Sequence, residues 1–343
     1  MIASRRLVCC VAVCLAAVLA GPSLAAEDKA PPPAAKRPVG RRSVGVSCIC
    51  RPARASARNV EGWIDTAALD KPDIILLTEG FMHNTARSAT VAEKNAKAEP
   101  LSGAGPILTL LGRKARQHKT YIMGCTWRKD PKGKGRYNTA FLVDRAGKVV
   151  WHYDKMFPTI GEMESGILPG RGAKVVDTDF GRIGALICYD LNFDELLDAY
   201  KREGVELLCF LSAFRGGLRV PALAFHNQCF VASSVPGENG VIVDPLGRTL
   251  AESSQYGPII FARIELDARV VHIDYNHRRI PDLKRKYGEW VRIETASPEA
   301  VYLLTSLHPE VSADRMIEEF QIETLDAYLD RARAVRKEHL PAE

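Results

Sequence analysis

Two kinds of hydrophobic pattern take turns along this chain. Short, nearly unbroken apolar runs read as buried strands, and stretches where apolar residues return every three or four positions read as helices. Residues 44–49 and 74–77 are of the first kind; 57–69 and 105–118 are of the second, with Leu108, Leu111 and Ala115 on one helical face. Strands are expected at 120–126, 137–144 and 148–152, and Asp144-Arg145-Ala146-Gly147 predicts a hairpin turn between the last two. A long loop, 154–172, comes next, then strands at 173–177 and 183–187, a helix at 194–203 and a strand at 206–211. A helix at 219–227, a strand at 230–234, a hairpin across 241–250 and a strand at 259–264 complete the series. Strands interleaved with helices and hairpins argue an α/β sandwich with mixed sheets. No repeat of fixed period is present.

The ends of the chain read differently. Arg5 and Arg6 precede an apolar run at 7–19, and small residues follow at 23–26, so residues 1–26 are expected to be a cleaved export signal. That implies a periplasmic or secreted protein with no membrane attachment after cleavage. Residues 27–42, rich in Pro, Ala, Lys and Arg, are expected to be a disordered linker. A single domain is expected over 43–266, followed by a tail at 267–343. In that tail one charged amphipathic helix is expected at 312–337, carrying Met316, Ile317, Phe320, Ile322, Leu325 and Leu329. Such a helix needs a surface to cover, which points to a homodimer or larger homo-oligomer.

Composition narrows the partners. The net charge of +6 comes from 47 basic and 41 acidic residues scattered without a basic stripe, so no nucleic-acid partner is expected. Of nine cysteines, three fall in the export signal. Cys209 and Cys229 lie in apolar runs and read as core, and no Cys or His spacing suits zinc. Neither a metal nor a cofactor is expected, and the partner is a small-molecule substrate.

The candidate chemistry sits at strand ends, where ligand crevices form in α/β sheets. The strand 183–187 delivers Cys188 to an elbow followed by a helix. A thiol held there can be exposed and surrounded by backbone N–H groups, although a free cysteine is more often a small core hydrophobe. Glu79 follows the run 74–78, Lys155 follows 149–154, and Glu162 and Glu164 fall in the long loop. Taken singly, each charged residue is as well explained by a chain leaving the core.

Together these segments resemble the nitrilase superfamily of carbon–nitrogen hydrolases. The likeness spans roughly 44–264 and rests on Ile187-Cys188-Tyr189-Asp190-Leu191, Glu79, Tyr153-Asp154-Lys155 and Leu168-Pro169-Gly170. Later runs, Leu211-Ser212-Ala213-Phe214-Arg215-Gly216-Gly217 and Asp244-Pro245-Leu246-Gly247-Arg248, fit it too. The resemblance implies a four-layer α-β-β-α sandwich with two mixed β-sheets, dimerising through helices beside the elbow. It implies thiol-dependent hydrolysis of a non-peptide carbon–nitrogen bond, in a small amide or a carbamoyl compound, through a Cys188 thioester. Glu79 would be the general base, and Lys155 with the Tyr189 backbone N–H would stabilise the oxyanion. Glu164, favoured over Glu162 on its distance from Cys188 and the Ser165 that follows it, would orient Lys155. Asn192 and Arg215 are the expected substrate-binding residues, Arg215 by pairing with a carboxylate. Phe157 stands where the family often has His, and Asn192-Phe193-Asp194-Glu195 replaces Arg-Phe-Pro-Glu; both changes are expected in pocket walls. A nitrilase, an acyl-transferring enzyme of the same fold and a catalytically silent exported binding protein are the alternatives.

Overall fold

The computed structural model describes residues 42–341 except 84, 87, 101 and 103. The expected export signal, 1–26, and all but the last residue of the expected linker lie outside the described residues.

Two six-stranded sheets form the centre. The chain enters through β1 (Ser43–Ile49), α1 (Ala57–Ala67), β2 (Ile74–Glu79), a short α2 (Val91–Ala96) and α3 (Pro106–His118). Three strands follow: β3 (Tyr121–Lys129), β4 (Arg136–Val143) and β5 (Val149–Asp154). The loop then holds a five-residue helix, α4 (Ile160–Glu164). Beyond it come β6 (Val175–Asp177), β7 (Arg182–Ile187), α5 (Asp194–Arg202), β8 (Leu207–Leu211), α6 (Arg219–Asn227) and β9 (Phe230–Ser234). The hairpin β10 (Val241–Val243) and β11 (Thr249–Glu252) precedes β12 (Ile259–Glu265).

The sheet orders are β12-β1-β2-β3-β4-β5 and β11-β10-β9-β8-β7-β6. In each, three parallel strands (β1, β2, β3 and β7, β8, β9) are flanked by antiparallel ones. The alternation of side chains along a strand sorts the apolar runs into layers. Val44, Val46, Cys48, Leu76, Met123, Ile183, Ala185, Ile187, Cys209 and Leu211 meet between the sheets. Their neighbours face outwards: Ile75, Leu77 and Phe141 pack on Ile64, Leu108 and Leu111 of α1 and α3. Leu186, Leu208 and Phe210 likewise pack on Leu196, Tyr200 and Leu223 of α5 and α6. Strands buried on both faces read as continuous apolar runs for this reason, and the result is the four-layer α-β-β-α sandwich.

The segment after β12 departs from the expected tail. It contains a three-stranded antiparallel sheet, ordered β13-β15-β14, from β13 (Ala268–His272), β14 (Val291–Ala296) and β15 (Val301–Ser306), with α7 (Ile280–Tyr287) between the first two. Val271, Leu283, Val291, Leu304 and Met316 give it a small core of its own. The single helix expected at 312–337 is two, α8 (Ala313–Glu319) and α9 (Leu325–Glu338). Gln321 adopts a left-handed φ of 50°, and Thr324 caps α9 by accepting from the Ala327 N–H, so the helix stops and restarts. Met316 and Ile322 are consequently buried in this module, not displayed on a face. Among the described residues no helix is long and apolar enough to cross a membrane.

Candidate active site

Cys188 stands at the C-terminal end of β7, as the first residue of a 3-10 turn, Cys188–Asn192. Its φ is 51°, a left-handed conformation that costs a non-glycine residue about 1–2 kcal/mol. Asp190, wholly buried, offsets that cost. Its carboxylate accepts from the Ile187 N–H (3.0 Å), the Phe157 N–H (2.9 Å) and the Tyr153 hydroxyl (2.8 Å). One side chain thus bends the elbow and ties it to the segment carrying Lys155.

Glu79, Lys155 and Cys188 line one cavity of about 600 Å³. Lys155, only 1% exposed, places its ammonium 3.3 Å from Glu79 Oε1 and 2.8 Å from Glu162 Oε2. The other Glu79 oxygen accepts from the Ala213 N–H at 3.0 Å. Asn138, on β4, donates to Glu79 Oε1 (2.7 Å) and to Glu162 Oε1 (2.9 Å). Leu168-Pro169-Gly170 closes over this group: the Gly170 N–H donates to the Lys155 carbonyl (2.8 Å), and a Cβ at 170 would stand 2.1 Å from the Asp154 carbonyl oxygen. Only glycine permits that approach.

The loop glutamate that reaches Lys155 is Glu162 and not the expected Glu164. Glu162 is the third residue of α4, in a capping box: Thr159 Oγ accepts from the Glu162 N–H, and Glu162 Oε2 accepts from the Thr159 N–H at 2.8 Å. That folds its carboxylate back towards Lys155. Glu164, two positions on, lies about 200° further round the helix and is exposed. The Thr-x-x-Glu spacing at 159–162 was the available signal.

Both expected substrate-binding residues lie outside the cavity lining. Asn192 is exposed, and its amide donates to the Tyr189 carbonyl at 3.1 Å within the elbow turn. Arg215 is exposed and donates to the Glu238 carbonyl at 3.1 Å on the neighbouring loop. Phe157 and Phe193 are not pocket walls either; their rings stack at 3.7 Å beside the elbow. The Tyr189 N–H, near the start of the 3-10 turn, takes no bond within it. Besides Lys155, the cationic residues that line the cavity are Arg54, Lys94 and Arg136. Arg136 is 1% exposed, donates to Asn95 Oδ1 (3.0 Å) and the Ser165 carbonyl (2.9 Å), and lies over the Trp127 ring at 4.5 Å. Trp127 in turn packs on His83. None of the three cations has an ion-pair partner among the described residues. In the sequence Asn138 stands only as a polar residue of the expected strand 137–144, and Arg136 falls just before it.

The electrostatics are those of a neutral thiol beside charged partners. Burial, then the nearby Glu79, pushes the Cys188 thiol up to about 11, against the pull of Lys155 and of the Ala213 N–H. Burial works against the Lys155 ammonium, but Glu79 and Glu162 outweigh it and hold the amine above its ordinary value. Burial likewise opposes the Glu162 carboxylate, and Lys155 with the Thr159 and Asn138 donors brings it below its usual range. Burial beside Arg136 and Arg54 drives His83 down to about 3, so that imidazole is neutral at physiological pH. Among the described residues no group of three or more His, Cys, Asp or Glu side chains could hold a metal ion.

Comparison with known proteins agrees with this architecture. The family model described as carbon-nitrogen hydrolase matches residues 55–270. The chain is 29% identical over 196 residues to a fission yeast (Schizosaccharomyces pombe) protein named as a hydrolase, covering 50% of this chain and 61% of that one. It is 27% identical over 245 residues to the omega-amidase NIT3 of Saccharomyces cerevisiae, covering 63% of this chain and 83% of the relative. Among solved structures, an amidase mutant from Nesterenkonia sp. AN1, with the acetamide moiety of fluoroacetamide added to its active site cysteine, superposes with a TM-score of 0.55. There the identity is 21%, with 73% of this chain and 99% of that one covered. With more than half of its length matched by the family model, the chain belongs to the carbon–nitrogen hydrolase family.

Proposed function

We propose that this chain hydrolyses a small amide through a thioester on Cys188. The observation that carries the reading is the left-handed elbow cysteine in one cavity with Glu79, Lys155 and Glu162. A thiol whose pKa is pushed up to about 11 needs a base at the moment of attack. Glu79 takes the thiol proton as sulfur bonds to the carbonyl carbon. The oxygen gains negative charge, which the Lys155 ammonium and the Tyr189 N–H stabilise; each such donor is worth about 3 kcal/mol. The C–N bond breaks as Glu79 returns the proton to nitrogen, so ammonia or an amine leaves and Cys188 keeps the acyl group. Water then gives a proton to Glu79 and attacks the thioester. The acid departs, and the thiolate recovers the proton. Glu162 holds the ammonium in place throughout.

Arg54, Lys94 and Arg136 favour an amide whose far end carries a carboxylate. Relatives named omega-amidases support this choice over a nitrile. Ammonia release should be fastest with acidic monoamides, and intact mass should find the acyl group on Cys188. Cys188→Ala should lower turnover by about 10⁴-fold or more with the fold retained; comparable rates in that variant would sink the reading. Arg136→Gln should raise KM for acidic amides and leave neutral ones unchanged. Export, supported by the apolar run at 7–19, is checked by the N-terminal mass of protein recovered outside the cytoplasm.

A further inference from the structure

Glu79 and Glu162 face each other across a single ammonium. Two carboxylates sharing one cation repel each other, and the ordinary result is that one takes up a proton. A neutral donor stands between them here. Asn138 is 2% exposed, and its amide nitrogen spends one N–H on each carboxylate, at 2.7 and 2.9 Å. An amide in that position has its oxygen left over, and a buried unpaired oxygen is costly. Cys125, on β3, meets it: the Cys125 thiol donates to Asn138 Oδ1 at 3.0 Å. The strand register places them, because Cys125 pairs with Ala140, two residues along β4 from Asn138 and on the same face. The Asn138 carbonyl also accepts from the Lys155 N–H at 2.8 Å, so the same residue holds the backbone beneath the ammonium.

We propose that Asn138 is a positioning residue for the reaction, bridging the Glu79 and Glu162 carboxyl groups and holding them in place around Lys155, with Cys125 as the donor that completes its amide. The proposal rests on the reading of Cys188 as the nucleophile. The hydrogen bonds satisfy all three polar positions of the amide with no water needed. Cys125 suits its part: burial, then Glu79, raises its thiol well above the ordinary value, so it keeps its proton and remains a donor. The other charged or titratable groups facing the pair are Lys155 and Cys188, with Arg136 and His83 beyond Glu162 and Arg54 and Lys94 elsewhere in the cavity lining. None of these can donate to both carboxylates from the β4 side.

The test reads Cys188 directly. Alkylation of the full chain by iodoacetamide, followed by intact mass from pH 5 to 10 with Cys188→Ala as the blank, needs no substrate. Asn138→Leu keeps the shape and removes both donors. Its acid limb should move up by about one pH unit, and kcat on an acidic monoamide should fall by about 100-fold with KM nearly unchanged. Cys125→Ala should move the limb in the same direction, and Cys125→Ser, which keeps a donor, should move it back. An unchanged alkylation profile in a folded Asn138→Leu protein, or a loss confined to KM, overturns the proposal. If Asn138→Leu does not fold, the cysteine pair decides, and identical profiles for Cys125→Ala and Cys125→Ser overturn it. A wild-type protein that releases no ammonia from any amide overturns the hydrolase reading instead, and the alkylation profiles still decide this one.

Discussion

Asp190 shows how one residue can serve the site at a cost to the fold. Burial pushes its carboxyl up to about 6, although the Ile187 and Phe157 N–H groups, Tyr153 and Lys155 all pull it down. Between its ordinary value near 3.8 and about 6 the folded chain binds the proton more tightly than the unfolded chain. Stability therefore falls as pH rises through that window and is level above it. A shift of this size corresponds to about 3 kcal/mol. Asp190→Asn should abolish that loss, so denaturant midpoints at pH 4, 5, 6 and 7 should show wild type weakening relative to the variant only up to about pH 6. A constant difference across the series would contradict it. The two loop glutamates offer a second comparison. Glu162→Gln removes the nearer anion from Lys155 and should reduce kcat by about 100-fold, whereas Glu164→Gln, on an exposed face, should leave kcat within about two-fold. Equal losses would return Glu164 to the site.

At the scale of elements, the elbow is only as rigid as the layer behind it. Gly184 on β7 lies against Tyr200 of α5: a Cβ there would come within 2.6 Å of the Tyr200 ring. Tyr200 is fully buried, and its hydroxyl donates to the Ala185 carbonyl, so the ring has nowhere to go. Gly184→Ala should cost about 1–3 kcal/mol by overpacking, read as a lower Tm, with turnover falling as β7 shifts the Cys188 elbow. A Tm equal to wild type would show that α5 can slide. The C-terminal module reaches the same helix from outside. Asp326 of α9 pairs with Lys201 at 2.9 Å and accepts from Gln228 at 2.7 Å, joining α9 to α5 and to the end of α6.

For the molecule as a whole, α9 is held by its first turns, where Asp326 meets Lys201 and the Tyr328 ring stacks on His272 at 3.6 Å, and the rest of it is uncovered. None of its residues is buried, and Leu329 and Val335 are exposed. An amphipathic helix of 14 residues is not stable alone in water without a surface to cover. We propose that a second copy of this chain would cover it, and residues 325–343 are the segment to remove. Light scattering at micromolar concentration should report a dimer or larger species for the full chain and a smaller species after truncation. A monomer of unchanged activity in both would dispose of the idea.

What the sequence determined by itself is local. Apolar runs marked most strands of the two sheets, because strands buried on both faces leave few polar positions. Cys188, Glu79 and Lys155 each stand at the end of a strand, where the chain must leave the core, and singly they read as ordinary exits from it; the family resemblance is what grouped them. What only the tertiary structure decided is direction and company. Two glutamates two residues apart are equivalent on paper, and the turn of α4 with its Thr159 cap selects Glu162. Arg215 and Arg136 are both arginines near a strand end, yet one reaches a carbonyl on a surface loop and the other the cavity wall. Asn138 and Cys125 meet through β3–β4 register, which no spacing along the chain encodes. The module after β12 escaped notice because charged residues such as Arg269, Arg292 and Glu294 interrupt its strands, and its helix broke at Gln321, where a left-handed residue interrupts an otherwise helical pattern. Periodicity reports which face of an element is apolar. It carries no information on what that face will meet, and the site is made of meetings between distant segments.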